Sequence, residues 1–173
     1  MIGERNKGVF KIDRTQASWE VALSWLSALE ETARDFHGTR PKAFCERAYE
    51  HSVDHFLRRL GDDYGIQIEK SKSIRSAVEH YIQIGVVGGL FEDASDFNVQ
   101  EINPYHLEIT VHNCKYLKSC RTLIDEGFTI RDLTCARIGC FRAAVKTLAN
   151  IDCDYQVRSF DVDKDCQGHI ERM

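Results

Sequence analysis

The sequence lacks a long apolar run. Its longest nearly uncharged stretch, Tyr81–Phe91, is eleven residues long, too short to cross a bilayer. The opening Met1-Ile2-Gly3-Glu4-Arg5-Asn6-Lys7 lacks the apolar core of a signal peptide. Together these absences predict a cytoplasmic chain with reduced thiols and no membrane span. There is no excess of positive charge either. The net charge is −4, with acids and bases interspersed, so no nucleic acid is expected as a partner. The seven cysteines are an odd number, which counts against a closed disulfide framework. Finally, there is no repeat, low-complexity tract or linker. A chain of 173 residues without such breaks is expected to fold as a single domain over 1–173.

What is present divides by period. Residues 1–14 read as an arm or an edge strand through Val9, Phe10 and Ile12. A helical part, 15–90, follows. Its first helix, about Gln16 to Phe36, is expected to bury Ala22, Trp25, Leu26, Leu29, Ala33 and Phe36, which recur at spacings of three and four. Gly38 and Pro41 suit its end and the next start. The second helix is read to Leu60 with Gly61 as its stop, burying Phe44, Ala48, Val53, Phe56, Leu57 and Leu60. Ser73 is a candidate N-cap for a third helix through Leu90.

From Phe97 the period shifts to two. Phe97, Val99 and Glu101, then Leu107, Ile109 and Val111, alternate with polar residues around Asn103-Pro104, as in a hairpin with one face in the core. Helices over Lys115–Glu126 and Asp132–Asn150 come next, the second with Asp132 as its expected cap. Tyr155–Phe160 and Cys166–Glu171 then form a closing hairpin. The fold class is therefore α+β, with helices packed on an antiparallel sheet and a strand, helix and hairpin core over 97–171.

Six of the cysteines lie in that last part, at junctions between elements: Cys114, Cys120, Cys135, Cys140, Cys153 and Cys166. Four of them form the pairs C-x5-C and C-x4-C, a thiolate set that Zn²⁺ or an iron–sulfur cluster could use. The spacing is not diagnostic, and buried free cysteines also serve as small hydrophobes. Cys135 and Cys140 lie about 140° apart on one helix, so one of them is expected in a site. Cys135 is the better placed, near a helix N-terminus that would lower a thiol pKa. On the preceding strand His106, His112 and Cys114 share a face by the period of two. His112 beside Cys114 suits either a shared metal or a Cys–His pair with an activated thiol. Solvated side chains at a strand end are the plain alternative. Cys45 is expected to lie apart.

Other patterns carry less. His51 and His55 have chelating spacing but no HExxH acid, Gly85–Gly89 does not follow a strand, and Asp161–Asp165 lacks the glycine and glutamate of a calcium loop.

The order of elements resembles the 4-vinyl-reductase-type superfamily. That superfamily includes nitric-oxide-signalling ligand domains, Golgi transport (TRAPP) subunits and the sensory domains of phenol-responsive regulators. The resemblance is carried by Thr134-Cys135-Ala136-Arg137-Ile138-Gly139-Cys140-Phe141, by Cys153–Phe160 and by Asp163–Glu171. Val111-His112-Asn113-Cys114 and the Cys135/Cys140 spacing are similar to the L-2-amino-thiazoline-4-carboxylic acid hydrolase branch. The resemblance implies a pocket for a small hydrophobic or aromatic ligand between helices and sheet, sometimes beside a cysteine-held metal. Phenol sensors place an acid and a second cysteine before the final cysteine. Tyr155 and Arg158 stand near there in this chain, so His112 or Cys114 would have to complete a metal set with Cys135 and Cys166.

The leading expectation is thus a small-molecule-binding domain with a pocket lined by Cys114, Cys135 and Cys166. One alternative is a thiol-dependent hydrolase of C–N bonds, with Cys114 beside His112, or Cys135, as nucleophile. Another is a TRAPP-like assembly subunit, and a homodimer is compatible with each.

Overall fold

The computed structural model describes residues 14–37, 42–161 and 165–173. The expected arm at 1–13, the Gly38 and Pro41 signals and the middle of the last turn lie outside the described residues. Five helices pack on a four-stranded antiparallel sheet, as the change of period predicts. In chain order they are α1 (Arg14–His37), α2 (Lys42–Tyr64), α3 (Ile74–Val87), β1 (Phe97–Asn103), β2 (His106–His112), α4 (Leu117–Asp125), α5 (Ala136–Ala149), β3 (Cys153–Phe160) and β4 (Asp165–Arg172). A 3₁₀ turn, Ala94–Asp96, leads into β1.

The sheet order is β1-β2-β4-β3. Alternation sends Leu107, Ile109 and Val111 inward on β2, Tyr155 and Val157 on β3, and Cys166 and Ile170 on β4. Val111 faces Cys166 across the β2–β4 ladder. The outer face is polar. There the His106 and His169 rings stack at 5.2 Å, and Glu108 accepts from His106 at 2.9 Å and pairs with Arg158 at 2.8 Å.

α5 lies at the centre. It packs on α2 and α3 on one side and on β3 and β4 on the other, and is buried through most of its length. Two glycines allow the close approaches around it. A Cβ on Gly139 would sit 2.3 Å from the Tyr49 ring, so α2 and α5 can touch there only with glycine. At Gly85 a Cβ would lie 2.4 Å from Phe91, whose chain folds back so that Leu90 and Phe91 both donate to the Gly85 carbonyl.

Several boundaries and faces differ from expectation. α2 does not stop at Gly61. It runs to Tyr64, and Gly65, at φ +69°, closes it with paired bonds, Gly65 N to Gly61 O and Ile66 N to Leu60 O. α5 starts four residues after the expected cap. The Asp132 carboxylate instead accepts from Thr129 N at 3.1 Å and Thr129 Oγ1 at 2.6 Å, holding a separate turn.

The largest correction concerns α1. It buries Leu23, Ser27, Glu30 and Ala33, while Trp25 and Phe36 are 74% and 81% exposed. Polar partners decide the inward face. Ser27 Oγ lies 2.7 Å from Ser119 Oγ of α4, and Glu30 is bonded to α2. On α2, Phe44 likewise points out while Cys45 and Tyr49 are buried.

Candidate functional site

Polar and ionisable groups converge where the chain enters α5. Thr134 is the hub. Its hydroxyl lies 2.8 Å from Tyr49 Oη, and Tyr155 Oη donates to its carbonyl. Tyr49 Oη in turn donates to Glu30 Oε1 at 2.8 Å. Glu30 is 3% exposed and its Oε2 has no hydrogen-bond partner. Burial raises the Glu30 pKa, opposed by bonds from Thr134 and Tyr49. Cys45, expected to stand apart, belongs to this cluster. Its thiol is bonded to Thr134, and burial together with the Glu30 charge pushes its pKa up to about 11.

The next residue, Cys135, is the N-cap of α5 with φ 42° and ψ 93°, a backbone shape uncommon for any residue but glycine. Its thiol is near those of Cys114 and Cys166, whose charges would act on it. Cys120 feels the same three. Cys114, Cys135 and Cys166 stand where β2 ends, α5 begins and β4 starts, within electrostatic reach of one another. The expected activation is reversed, however. Burial raises the Cys135 pKa, more than the bond from the Ile138 backbone lowers it, and pushes Cys166 up to about 12. The helix N-terminus loses to desolvation here.

His112 does not join them in a Cys–His pair. Asn113 adopts φ 49°, which breaks the strand alternation. Cys114 consequently turns into the core, while His112 Nδ1 lies 2.6 Å from Asp165 Oδ1 on the half-exposed outer side. Among the described residues no group of three or more His, Cys, Asp or Glu side chains is placed to hold a metal ion. Cys140 lies off the corner, as its angular offset from Cys135 predicts, and burial lifts its pKa to about 12.

Arg137, in the first turn of α5, was not singled out by sequence. It is 5% exposed, and its Nε is buried without a hydrogen-bond partner. Three rings enclose the guanidinium carbon: Phe91 at 4.5 Å, Tyr116 at 4.8 Å and Phe97 at 5.6 Å. Beside it is a notch of about 10 Å³, lined also by Val111, His112, Asn113 and Cys114. Leu90, Phe91, Glu92 and Lys115 border both this notch and a cleft of about 630 Å³ that reaches Thr15 and Trp19 of α1. The Trp19 ring of the cleft meets the Tyr116 ring, with centroids 5.8 Å apart. An apolar cleft ending on a few convergent polar groups has the build of a small-molecule site. The available signal in the sequence was Arg137 itself, one of only two charged residues between Ala136 and Val145.

No family model matches the chain, and no curated protein matches it. Among solved structures it is similar to the phenol-responsive sensory domain of the transcription activator PoxR with phenol. The TM-score is 0.54 and the identity 17%, over 87% of this chain and 74% of that one. The two share a fold. The narrower likeness to thiazoline hydrolases gains no support from these comparisons. No helix among the described residues is long and apolar enough to cross a membrane.

Proposed function

We propose that this chain is a small-molecule-binding sensory domain. Its ligand would sit in the cleft between α1, the Gly89–Glu92 segment and Lys115. The observation that carries this reading is that a cleft of about 630 Å³ beside Trp19 shares the wall residues Leu90, Phe91, Glu92 and Lys115 with the notch at the buried Arg137. The thiol corner supports the inner wall through Cys114. A domain of the same fold described as phenol-responsive makes small aromatic molecules the first class to test. The hydrolase alternative has less behind it, because burial raises the Cys135 and Cys166 thiols where a nucleophile needs them lowered. A bound Zn²⁺ or iron–sulfur cluster lacks a ligand group among the described residues.

The test is direct because Trp19 lines the cleft. In a Trp25→Phe background, Trp19 is the single tryptophan, and phenol, benzyl alcohol and benzoate are titrated against its fluorescence. Saturable quenching by at least one of them, with a matching rise in melting temperature, is expected. No saturable response up to millimolar concentrations would dispose of the proposal.

A homodimer is the accompanying reading. Val21, Trp25, Leu29 and Phe36 form an outward apolar stripe along α1, each at least 36% exposed. A second copy of the same helix face would cover it.

A further inference from the structure

We infer that the ligand of this cleft carries a carboxylate, received by Arg137. This rests on the cleft being the binding site and goes beyond it by assigning the ligand's charge and headgroup. Arginine stays protonated in any aqueous setting, so a guanidinium that is 5% exposed is a buried cation, not a neutral group. Buried charges are ordinarily paired. Among the described residues this one has no carboxylate partner, and its Nε is buried without a hydrogen bond. The titratable groups that sense its charge are Tyr116, Tyr81 and Cys140, all held neutral by raised pKa values.

The acids nearest the notch are engaged elsewhere. Glu92 accepts from Lys115 Nζ at 2.5 Å, and Asp96 from Asn113 Nδ2 at 3.3 Å. The rings of Phe91, Phe97 and Tyr116 attract the cation by their faces but supply no acceptor in the plane of the guanidinium. An in-plane acceptor is what the fork of N–H groups lacks, and a carboxylate fits it in geometry as well as charge.

Size narrows the class. The notch of about 10 Å³ has room for roughly one water-sized group, which suits one oxygen of a planar carboxylate. The adjoining cleft of about 630 Å³, lined by Trp19, Leu90 and Phe91, takes an aromatic or apolar body. A cationic ligand is disfavoured, since Arg137 already fills the cage that would hold one. The geometry therefore describes a small aromatic carboxylate, with its oxygen on Arg137 and its ring against Trp19.

Benzoate and its neutral analogue benzyl alcohol decide the matter by calorimetry on the full chain. Benzoate is expected to bind at least tenfold more tightly. That preference should vanish in Arg137→Met, which keeps the stem in the cage, and fall partway in Arg137→Lys, which keeps the charge without the fork. Thermal melts show which variants fold. Independently of any variant, the Arg137 Nε–H resonance of the wild-type protein should shift with benzoate and stay put with benzyl alcohol. Equal affinity for the two compounds, or benzoate binding that leaves the Nε–H resonance unmoved, would overturn the carboxylate while leaving the small-molecule site intact. Binding by neither compound, nor by phenol, would remove both.

Discussion

A Cβ on Gly139 would lie 2.3 Å from Cδ2 of Tyr49 and 3.1 Å from Oη of Tyr155, so two hydrogen-bonded tyrosines close on one bare backbone position. Gly139→Ala gains up to about 1 kcal/mol in helix propensity. It also overpacks a rigid contact, at a cost of about 1–3 kcal/mol. The balance predicts a lower melting temperature, together with loosening of the Tyr49–Glu30 bond. A variant melting at or above the wild type would show that α2 and α5 can slide apart freely.

Glu30 predicts a pH dependence. Its carboxyl has a pKa raised above the ordinary 4.5 by burial, so the folded state holds the proton more tightly than the unfolded chain does. Stability tied to that proton is fully present below pH 4.5 and is lost as pH rises through the folded-state value. Glu30→Gln removes this dependence while keeping a side chain that can accept from Tyr49. Relative to wild type the variant should therefore gain stability as pH climbs from 4.5 toward neutrality. Denaturant midpoints at several pH values measure this, and parallel curves for the two proteins would contradict it.

The thiols should be slow to react. With pKa values of about 12, Cys140 and Cys166 carry almost no thiolate at pH 8 in the folded state. Their labelling by iodoacetamide is expected to be more than about a hundred-fold slower than in denatured protein. Mass spectrometry of the labelled peptides reads this site by site. Fast native labelling of Cys166 would revive the case for an activated thiol at the corner.

Trp25 tests self-association. It is 74% exposed at the middle of the α1 stripe, so Trp25→Glu should change the stability of one copy by no more than about 0.5 kcal/mol. It should nevertheless convert a dimer to a monomer in sedimentation. A wild-type protein that sediments as a monomer at high micromolar concentration would count against the interface.

Much of the framework was readable in the sequence because it rests on local pattern. The N-cap at Ser73 and the two hairpins follow from period and capping chemistry, and the structure has them. The parts that failed depend on partners distant in sequence. Ser27 and Glu30 are inward because Ser119 and Tyr49 await them, and no periodicity within α1 contains that information. Asn113 overturned the pairing of His112 with Cys114, since a single left-handed residue ends the alternation on which the inference stood. Cysteines drew attention as a rare residue type at corners, whereas Arg137 looked like an ordinary charge on an amphipathic helix. Its burial emerges only once α5 is surrounded on every side.

The placement of α1 has a kinetic consequence. This helix rests chiefly on α4, only lightly on α2, and forms one wall of the cleft through Thr15 to Trp19, whereas α5 and the sheet line the adjoining notch through Arg137, Phe97 and Val111. Helix α1 is therefore expected to open locally more readily than the central helix, and its amides should exchange with solvent earlier than those of α5. A guest touching both Trp19 and Arg137 would tie the loose wall to the rigid one. Its arrival would then be registered as a slowing of α1 exchange against an unchanged α5, a signal carried by mobility with no displacement of the sheet.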